Sequence, residues 1–396
     1  MSKARNLTEV SMENSRMIRA MTFLCPNTNR VSIAKTTGLT FPVVTKNINE
    51  MISTGFIRET QAAHTRKGSG RIALDVEVNP DYGWALGIEL GPYIISLSVI
   101  NAAGEIFDTR IISKNKPNTY SELLELLKTE ISSEIKKHTG IFLGIGIASP
   151  GGNEDLPGIL FRYDLPDWRG KPIEEDLKSE FDVSVVLMNN VTAMALYFNL
   201  TSDLKEGHYT FFYALRGIAS VEFFHRENGL YNTVNRAGQV GHMILELNGE
   251  VCPSCGNRGC LESISSEAAI LKKCKEEMFK NGEDSSNITM EDILSRRRTD
   301  PSFMKDIFDR AFLYLAIAIS NIQNYCHTNK MFVVSRIIQT EEEFAYIEQV
   351  VRNNLLATKD LNVEFENISY DQMLGSRAAA FCFLYDQYVG IEQRLL

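Results

Sequence analysis

Short apolar runs alternate with stretches of helical spacing from residue 84 to residue 334, and this alternation restricts the fold more than any other feature of the sequence. Runs with strand character cover residues 84–91, 93–100, 141–148, 183–188, 210–215, 219–225 and 331–334. Helical spacing covers residues 120–137 and 303–328, and a further helix is expected to begin near Thr192. Strands that alternate with helices predict an α/β domain. Because the pattern occurs twice, we expect two similar halves with a cleft between them.

Three helical patterns precede residue 58. They cover residues 11–23, 31–37 and 42–53. Gly38 suits a tight helix exit, Thr40 can cap the next helix, and Pro42 fits a first helical turn. Two helices joined by a glycine-containing turn, with a polar outer face on the second, are typical of the helix-turn-helix.

A basic, glycine-rich turn over residues 65–71 then separates two candidate strands, the second being the alternating run 72–78. Glycine for the turn and basic side chains for phosphates or a minor groove are what the wing of a winged helix needs. We therefore predict a winged helix-turn-helix DNA-binding domain over residues 1–79 and a second domain over 80–396; a small helical protein-interaction domain is the other interpretation. Direct base contacts are expected from Phe41, Val43, Thr45, Lys46 and Asn49, and contacts to the DNA backbone from Arg66, Lys67 and Arg71.

The charge of the chain is unevenly distributed. Residues 1–79 carry eleven Lys and Arg against six Asp and Glu, a balance of +5, which leaves −14 for the remainder of a chain with net charge −9. This asymmetry is typical of a nucleic-acid module joined to an acidic body. No apolar run reaches the roughly 18–20 residues that span a bilayer, and residues 1–17 lack the apolar core of a signal peptide. We expect a cytoplasmic protein without a membrane partner.

Three of the seven cysteines lie close together after a histidine. They are Cys252, Cys255 and Cys260, and they follow His242. In a cytoplasmic protein such crowding favours metal binding over disulfides. Three thiols and an imidazole suit a closed, tetrahedral, structural Zn²⁺ site. The alternative is three reduced cysteines in a surface turn and a histidine in the core.

These motifs together resemble the ROK family of repressors, open reading frames and sugar kinases. The resemblance is carried by residues 86–91, 149–152, 165–168, 189–190, 241–242 and 255–262. It implies an α/β, two-lobed, actin-like sugar-kinase fold over residues 80–396, with a zinc loop near 242–262, behind a winged helix. The family usually has one residue between its first two cysteines, whereas two residues separate Cys252 from Cys255.

Four parts of the family's kinase machinery are altered in this chain. Its kinases use an Asn-Asp pair to supply the base, and Asn189-Asn190 stands there; an amide does not act as a base near neutral pH. The usual Asp-x-Gly-Gly-Thr phosphate loop is replaced by residues 89–93, the second glycine loop by 215–220, and the adenosine-side Gly-Gly by 335–336. We therefore expect the chain not to be an enzyme.

The sugar side is altered less than the ATP side. The resemblance places sugar-hydroxyl contacts at Asp164, Asn189, Asn190, Gln239, His242 and Glu262; Asp164 stands where Asn is common and Gln239 where the family has Glu. Trp168 is expected either to stack on a sugar ring or to lie in the core. We predict a DNA-binding regulator of carbohydrate genes, most simply a repressor, that is controlled by a sugar or sugar phosphate and binds operator DNA as a homodimer or dimer of dimers. The alternatives are an ATP-dependent sugar kinase and a regulator controlled by a protein partner, with a vestigial cleft.

Overall fold

The computed structural model describes residues 7–61, 74–151, 158–160, 165–226, 233–234, 237–356 and 363–389. The chain forms two compact units. The first consists of Met1–Glu206, His225–Thr233 and Gln372–Leu396, and the second of Gly207–Phe224 and Val234–Asp371. None of the helices in the described ranges combines the length and hydrophobicity needed to cross a lipid bilayer.

The amino-terminal part of the first unit contains three helices and a small antiparallel sheet. In chain order these are α1 (Leu7–Leu24), β1 (Thr28–Asn29), α2 (Arg30–Thr37), α3 (Phe41–Ser53), β2 (Ile57–Gln61) and β3 (Leu74–Val78). The strands are ordered β1-β3-β2, and both neighbouring pairs are antiparallel. The three predicted helices are present, each beginning one to four residues earlier than the sequence pattern indicated.

The turn between α2 and α3 explains where these helices end and begin. Gly38 ends α2 with a φ of 71°, in the left-handed region that glycine adopts without strain. Thr40 precedes α3, but its side chain makes no capping hydrogen bond, so the predicted Thr40 cap is wrong. A capping oxygen accepts from the second or third helical N–H, and the second residue here is Pro42, which has no N–H.

The remainder of the first unit is built on a five-stranded sheet. Its strands are β4 (Gly83–Leu90), β5 (Ile95–Asn101), β6 (Ile106–Ser113), β7 (Ile141–Ser149) and β8 (Ser184–Asn189), and its helices are α4 (Tyr120–Lys137), α5 (Ile173–Phe181) and α6 (Asn190–Thr201). The strand order is β6-β5-β4-β7-β8. The pairs β4–β5 and β5–β6 are antiparallel, whereas β7 runs parallel to both β4 and β8.

The second unit repeats this arrangement. Its sheet has the order β11-β10-β9-β12-β13, with strands β9 (Gly207–Ala214), β10 (Ile218–His225), β11 (Thr233–Val234), β12 (Lys330–Val334) and β13 (Glu364–Ile368). Its helices are α7 (Glu262–Ser265), α8 (Glu267–Lys280), α9 (Met290–Thr299), α10 (Lys305–Cys326) and α11 (Glu341–Asn354). When the five strands of each sheet are numbered in chain order, their order across both sheets is third, second, first, fourth, fifth. This shared order confirms the two similar halves predicted from the sequence.

The last helix in the described residues, α12 (Leu374–Tyr388), returns to the first unit and lies on its sheet. Two strand glycines allow this close approach. A Cβ atom at Gly87 would overlap the backbone oxygen of Ser376, and one at Gly146 would overlap that of Ala379. Side chains larger than hydrogen at these two positions would therefore lift the helix from the sheet.

Five aromatic rings join α12 to the amino-terminal helices within the first unit, and we call them the aromatic junction: Phe23, Phe56, Tyr82, Phe381 and Tyr388. Ring centroids lie 5.1 Å apart for Phe23 and Phe381 and 5.0 Å apart for Phe56 and Tyr388. The Tyr388 hydroxyl donates to the backbone oxygen of Ala102 at 3.2 Å. The amino-terminal helices therefore share buried apolar surface with the carboxy-terminal helix.

Candidate functional site

The outward face of α3 is the first candidate surface. Phe41, Thr45 and Asn49 follow one another at intervals of four residues, and Lys46 lies beside them, while Val44 and Ile48 point into the core. This face forms an open groove, which is lined by Phe41, Pro42, Thr45, Lys46, Asn49, Glu50 and Ser53. Phe41 is 50% exposed. The helix therefore presents one apolar ring, one cation and one amide side by side.

Not every predicted base-contacting residue is equally accessible. Phe41, Lys46 and Asn49 are exposed, whereas Val43 and Thr45 are half-buried. The hydroxyl oxygen of Thr45 is buried and has no hydrogen-bond partner among the described residues. The three predicted backbone-contacting residues, Arg66, Lys67 and Arg71, lie outside the described residues.

A neighbouring residue that the sequence analysis missed contacts this surface. Nη2 of Arg30 donates to Oδ1 of Asn49 at 2.8 Å, and Nη1 of the same guanidinium pairs with the carboxylate of Glu59. The partners are 19 and 29 residues from Arg30 in the chain. Because neither separation follows a helical or strand period, no pattern in the sequence would have indicated this contact.

The second candidate site is the cluster formed by His242 and the three cysteines. The ligand atoms of His242, Cys252, Cys255 and Cys260 all lie within 4.8 Å of one another. Sγ of Cys252 is 3.7 Å from Nδ1 of His242, and Sγ of Cys255 is 3.6 Å from Sγ of Cys260. A tetrahedral zinc ion with Zn–S bonds of about 2.3 Å holds its sulfur ligands about 3.8 Å apart. The cluster therefore fits a four-coordinate metal ion, Cys252 included.

The loop around this cluster is held by backbone hydrogen bonds and a glycine. The N–H of Cys252 donates to the oxygen of Asn257 at 2.7 Å, and the N–H of Gly256 donates back to Cys252 at 2.9 Å. Gly259 has a φ of 72°, and a Cβ atom there would overlap the backbone oxygen of Glu246. The loop thus brings thiols from successive turns to one point without a regular helix or strand.

The three thiols differ in acidity. Burial raises the pKa of the Cys252 thiol and raises that of Cys260 to about 12. Burial also opposes ionisation of Cys255, but hydrogen bonds from the Asn257 backbone and from the neighbouring thiols outweigh it and lower the pKa of Cys255. Since a metal binds thiolates and displaces their protons, metal affinity at this cluster should fall as the pH falls.

In the first unit, the predicted sugar-contacting pair lies where β8 ends and α6 begins. Oδ1 of Asn189 accepts from the N–H groups of Val191 and Thr192, at 2.9 and 3.1 Å, and so caps α6. Asn190 is buried in the first turn of that helix. Trp168 is fully buried, so of its two expected roles the core role is the one found. Asp164 lies outside the described residues.

In the second unit, the predicted sugar contacts lie beside the cysteine loop. His242 ends a short 3-10 turn that Gln239 precedes, and Gln239 is exposed. Glu262 begins α7, two residues after Cys260, and its Oε1 accepts from the Ser254 hydroxyl at 2.5 Å. Ser254 lies between Cys252 and Cys255 in the chain, so the carboxylate is tied to the loop that carries the thiols.

Two positions of the altered kinase machinery hold charged side chains, Glu89 in the first unit and Arg336 in the second. In the first unit, Glu89 is buried at the end of β4, and a Cβ atom at Gly375 would overlap its carboxylate. In the second unit, Arg336 follows β12 and donates from Nε and Nη2 to the two carboxylate oxygens of Glu267, at 3.0 and 2.9 Å. The Glu267 carboxylate is 1% exposed. A bidentate pair of this kind holds the guanidinium in place where a kinase of the resembled family has glycine.

Comparison with known proteins gives these sites a context. The family model described as ROK family matches residues 85–384. A xylose repressor from Caldicellulosiruptor bescii is 29% identical over 276 residues, which cover 67% of this chain and 66% of the repressor. A glucokinase from Halalkalibacterium halodurans is 24% identical over 269 residues, 63% of this chain and 79% of the kinase. One solved structure is described as a ROK family transcriptional regulator, homolog of E. coli MLC protein. It superimposes with a TM-score of 0.75 at 21% identity, and the match covers 96% of this chain and 98% of the regulator's chain.

Proposed function

Since the chain belongs to the ROK family, we propose that it is a transcriptional repressor of carbohydrate genes whose binding to operator DNA is controlled by a sugar or sugar phosphate. The observation that carries the proposal is the exposed face of α3, with Phe41, Lys46 and Asn49. The chain also shares its fold with a solved ROK family transcriptional regulator. The similar xylose repressor supports both the role of a repressor and the link to a sugar.

In this proposal residues 1–79 form a winged helix-turn-helix, and α3 is its recognition helix. The glycine turn at Gly38 and the antiparallel pair β2–β3 support that assignment. Arg66, Lys67 and Arg71 belong to the segment between these strands and supply salt-sensitive contacts to phosphates. A homodimer, or a dimer of dimers, presents paired recognition helices to a palindromic operator.

Residues 80–396 bind the effector in the proposed repressor. Asp164, Asn189, Asn190, Gln239, His242 and Glu262 are the hydroxyl-contacting residues. Oδ1 of Asn189 already caps α6, so its amide N–H₂ is the group offered to a sugar. The effector changes the DNA affinity because it prefers one of two conformations of the protein.

The cysteine cluster holds a structural Zn²⁺ in the proposed repressor. All four ligands are protein side chains, which leaves no open position for water activation. The ion ties His242 to the loop that precedes Glu262, and so fixes two of the hydroxyl-contacting residues relative to each other.

The protein does not transfer phosphate in this proposal. An amide at Asn190 cannot accept the proton of a sugar hydroxyl. The ion pair of Arg336 with Glu267 places a guanidinium at the adenosine-side motif, which supports loss of nucleotide binding.

The test is fluorescence anisotropy with labelled DNA from upstream of the protein's own gene, titrated with neutral sugars and sugar phosphates. We expect tight DNA binding by the wild type, and a shift in affinity with one sugar. Lys46→Ala should weaken operator binding by about 1–3 kcal/mol, the contribution of one base contact, with sugar binding intact. Lys280→Ala, which removes a similarly exposed lysine from α8, is the matched control. An absence of DNA binding by the wild type would contradict the proposal.

The second candidate function is an ATP-dependent sugar kinase, which the similar glucokinase favours. Its test is sugar-dependent release of ADP by the purified chain. Operator binding that no sugar alters, together with no ADP release, would instead favour a repressor controlled by a protein partner, as the substitutions at Asp164 and Gln239 allow.

A further inference from the structure

Arg30 connects three elements of the amino-terminal module. It is the first residue of α2, its Nη2 donates to Oδ1 of Asn49 on α3 at 2.8 Å, and its Nη1 pairs with the carboxylate of Glu59 on β2. Its side chain is 19% exposed, and that of Glu59 is 33% exposed. The guanidinium is therefore largely removed from solvent and lies between an amide and a carboxylate.

This contact fixes which way the amide of Asn49 points. A guanidinium carries only donors, so the amide oxygen must face Arg30 and the N–H₂ group must face away from it. Without this contact, both ends of an exposed amide would be available in either orientation. Because the guanidinium is planar and also held by Glu59, the orientation is set by two partners.

We propose that Arg30 is a positioning residue for sequence recognition: it holds Asn49 so that the Nδ2 hydrogens are directed at a hydrogen-bond acceptor on a base edge in the major groove. The inference rests on the proposed DNA-binding function. Acceptors in that groove are N7 of purines, O6 of guanine and O4 of thymine, whereas cytosine presents the N4 donor. Asn49 therefore discriminates against cytosine on the strand that it contacts, at one operator position.

The pairing with Glu59 gives Arg30 a different role from that of the basic residues that contact phosphates. The carboxylate neutralises the guanidinium and occupies one end of its fork, so Arg30 is not free to reach the DNA backbone. Removing Arg30 should consequently affect the choice of sequence more than the affinity for DNA in general. A residue that contacted phosphates would have the opposite effect.

The experiment compares wild type and Arg30→Lys by fluorescence anisotropy on the operator, on its single-base-pair variants and on unrelated DNA. Lysine keeps the charge, but it lacks the planar guanidinium that bonds Asn49 and Glu59 at the same time. At one base pair we expect discrimination to fall by about 5- to 150-fold, the range of one base contact of 1–3 kcal/mol. Affinity for unrelated DNA should stay within about twofold.

Arg58→Lys is the matched control, because Arg58 lies on the same strand as Glu59 and pairs with Glu77 at 2.7 Å instead. It should leave every affinity unchanged. Asn49→Ala should lose discrimination at the same base pair as Arg30→Lys, and the double variant should lose no more than either single variant. This comparison stands even if Arg30→Lys lowers the melting temperature.

The possible failures separate the two proposals. Wild type that binds no DNA would overturn the proposed function and this inference together. Wild type that discriminates among base pairs, with Arg30→Lys unchanged or with all sequences weakened equally, would overturn the inference alone. Loss at different base pairs in Arg30→Lys and Asn49→Ala would do the same.

Discussion

Phe56→Ala tests whether the amino-terminal helices and the carboxy-terminal helix share one core. Phe56 is 7% exposed and contributes a ring to the aromatic junction. Its ring centroid lies 5.0 Å from that of Tyr388 and 5.3 Å from that of Tyr82, and both pairs meet edge to face. The substitution removes both ring contacts and leaves a cavity between α12 and the residues that follow α3.

The expected loss of stability follows from these contacts. Replacing a buried phenylalanine by alanine costs about 3–5 kcal/mol, of which each lost aromatic pair accounts for about 0.5–1.5 kcal/mol. Total stability of a domain is about 5–15 kcal/mol, so the variant should remain folded at low denaturant. With an m-value of about 2 kcal/mol/M, the urea midpoint should fall by about 2 M.

Tryptophan fluorescence during urea unfolding is the assay. The chain has two tryptophans, Trp84 and Trp168, and both are buried in the first unit, so the signal reports the unit that contains the junction. Phe279→Ala is the matched control, because Phe279 is 78% exposed on α8 and its loss should change stability by no more than about 0.5 kcal/mol. Equal midpoints for the two variants would refute the shared core.

Two further predictions concern the metal cluster and pH. The four clustered ligands are expected to bind one zinc ion per chain, and Cys260→Ser should abolish that binding. Cys274→Ser changes a buried cysteine of α8 outside the cluster and should retain the zinc. Elemental analysis of both purified variants checks this, and zinc retained in Cys260→Ser would count against the cluster. Burial opposes ionisation of Glu134, but the hydrogen bond from Lys137 and the charge of Arg110 outweigh it and hold its pKa below the usual value. Because a lowered native pKa stabilises the fold above the unfolded pKa and loses that effect as the pH falls, Glu134→Gln should destabilise the protein at pH 7 in urea unfolding. Its difference from wild type should shrink towards pH 3, and a difference that persists there would contradict the reasoning.

Local patterns accounted for much of what the sequence predicted correctly. The helices before residue 58 follow from apolar spacing and from Gly38, and the cysteine cluster is recognisable because its ligands lie within residues 242–260. The Thr40 cap was wrong because the helix places Pro42, which has no N–H, at a position that would donate to it. The capping role of Asn189 was also missed, although asparagine directly before a helix is a common cap.

Contacts between distant residues could not be predicted in this way. The rings of Phe23 and Phe381 are in contact, although the two residues lie near opposite ends of the sequence. Neither residue belongs to a sequence pattern that indicates the other as its partner. The same holds for Arg30 and Asn49, whose pairing depends on the angle between α2 and α3. Periodicity indicates which face of an element is buried, whereas the partner across that face is set by the tertiary fold.

The aromatic junction also sets an order of events during synthesis. Phe56 emerges from the ribosome early, whereas Tyr388, its partner ring, is 332 residues further along the chain. At about 5–20 residues per second, the interval is roughly 15 to 65 seconds. Through that time the ring surface of Phe23 and Phe56 lacks the helix that covers it, so we expect this apolar surface to stay exposed until α12 has emerged. A nascent chain stalled before α12 would keep this surface exposed, and exposed apolar surface of this kind favours aggregation of incomplete chains.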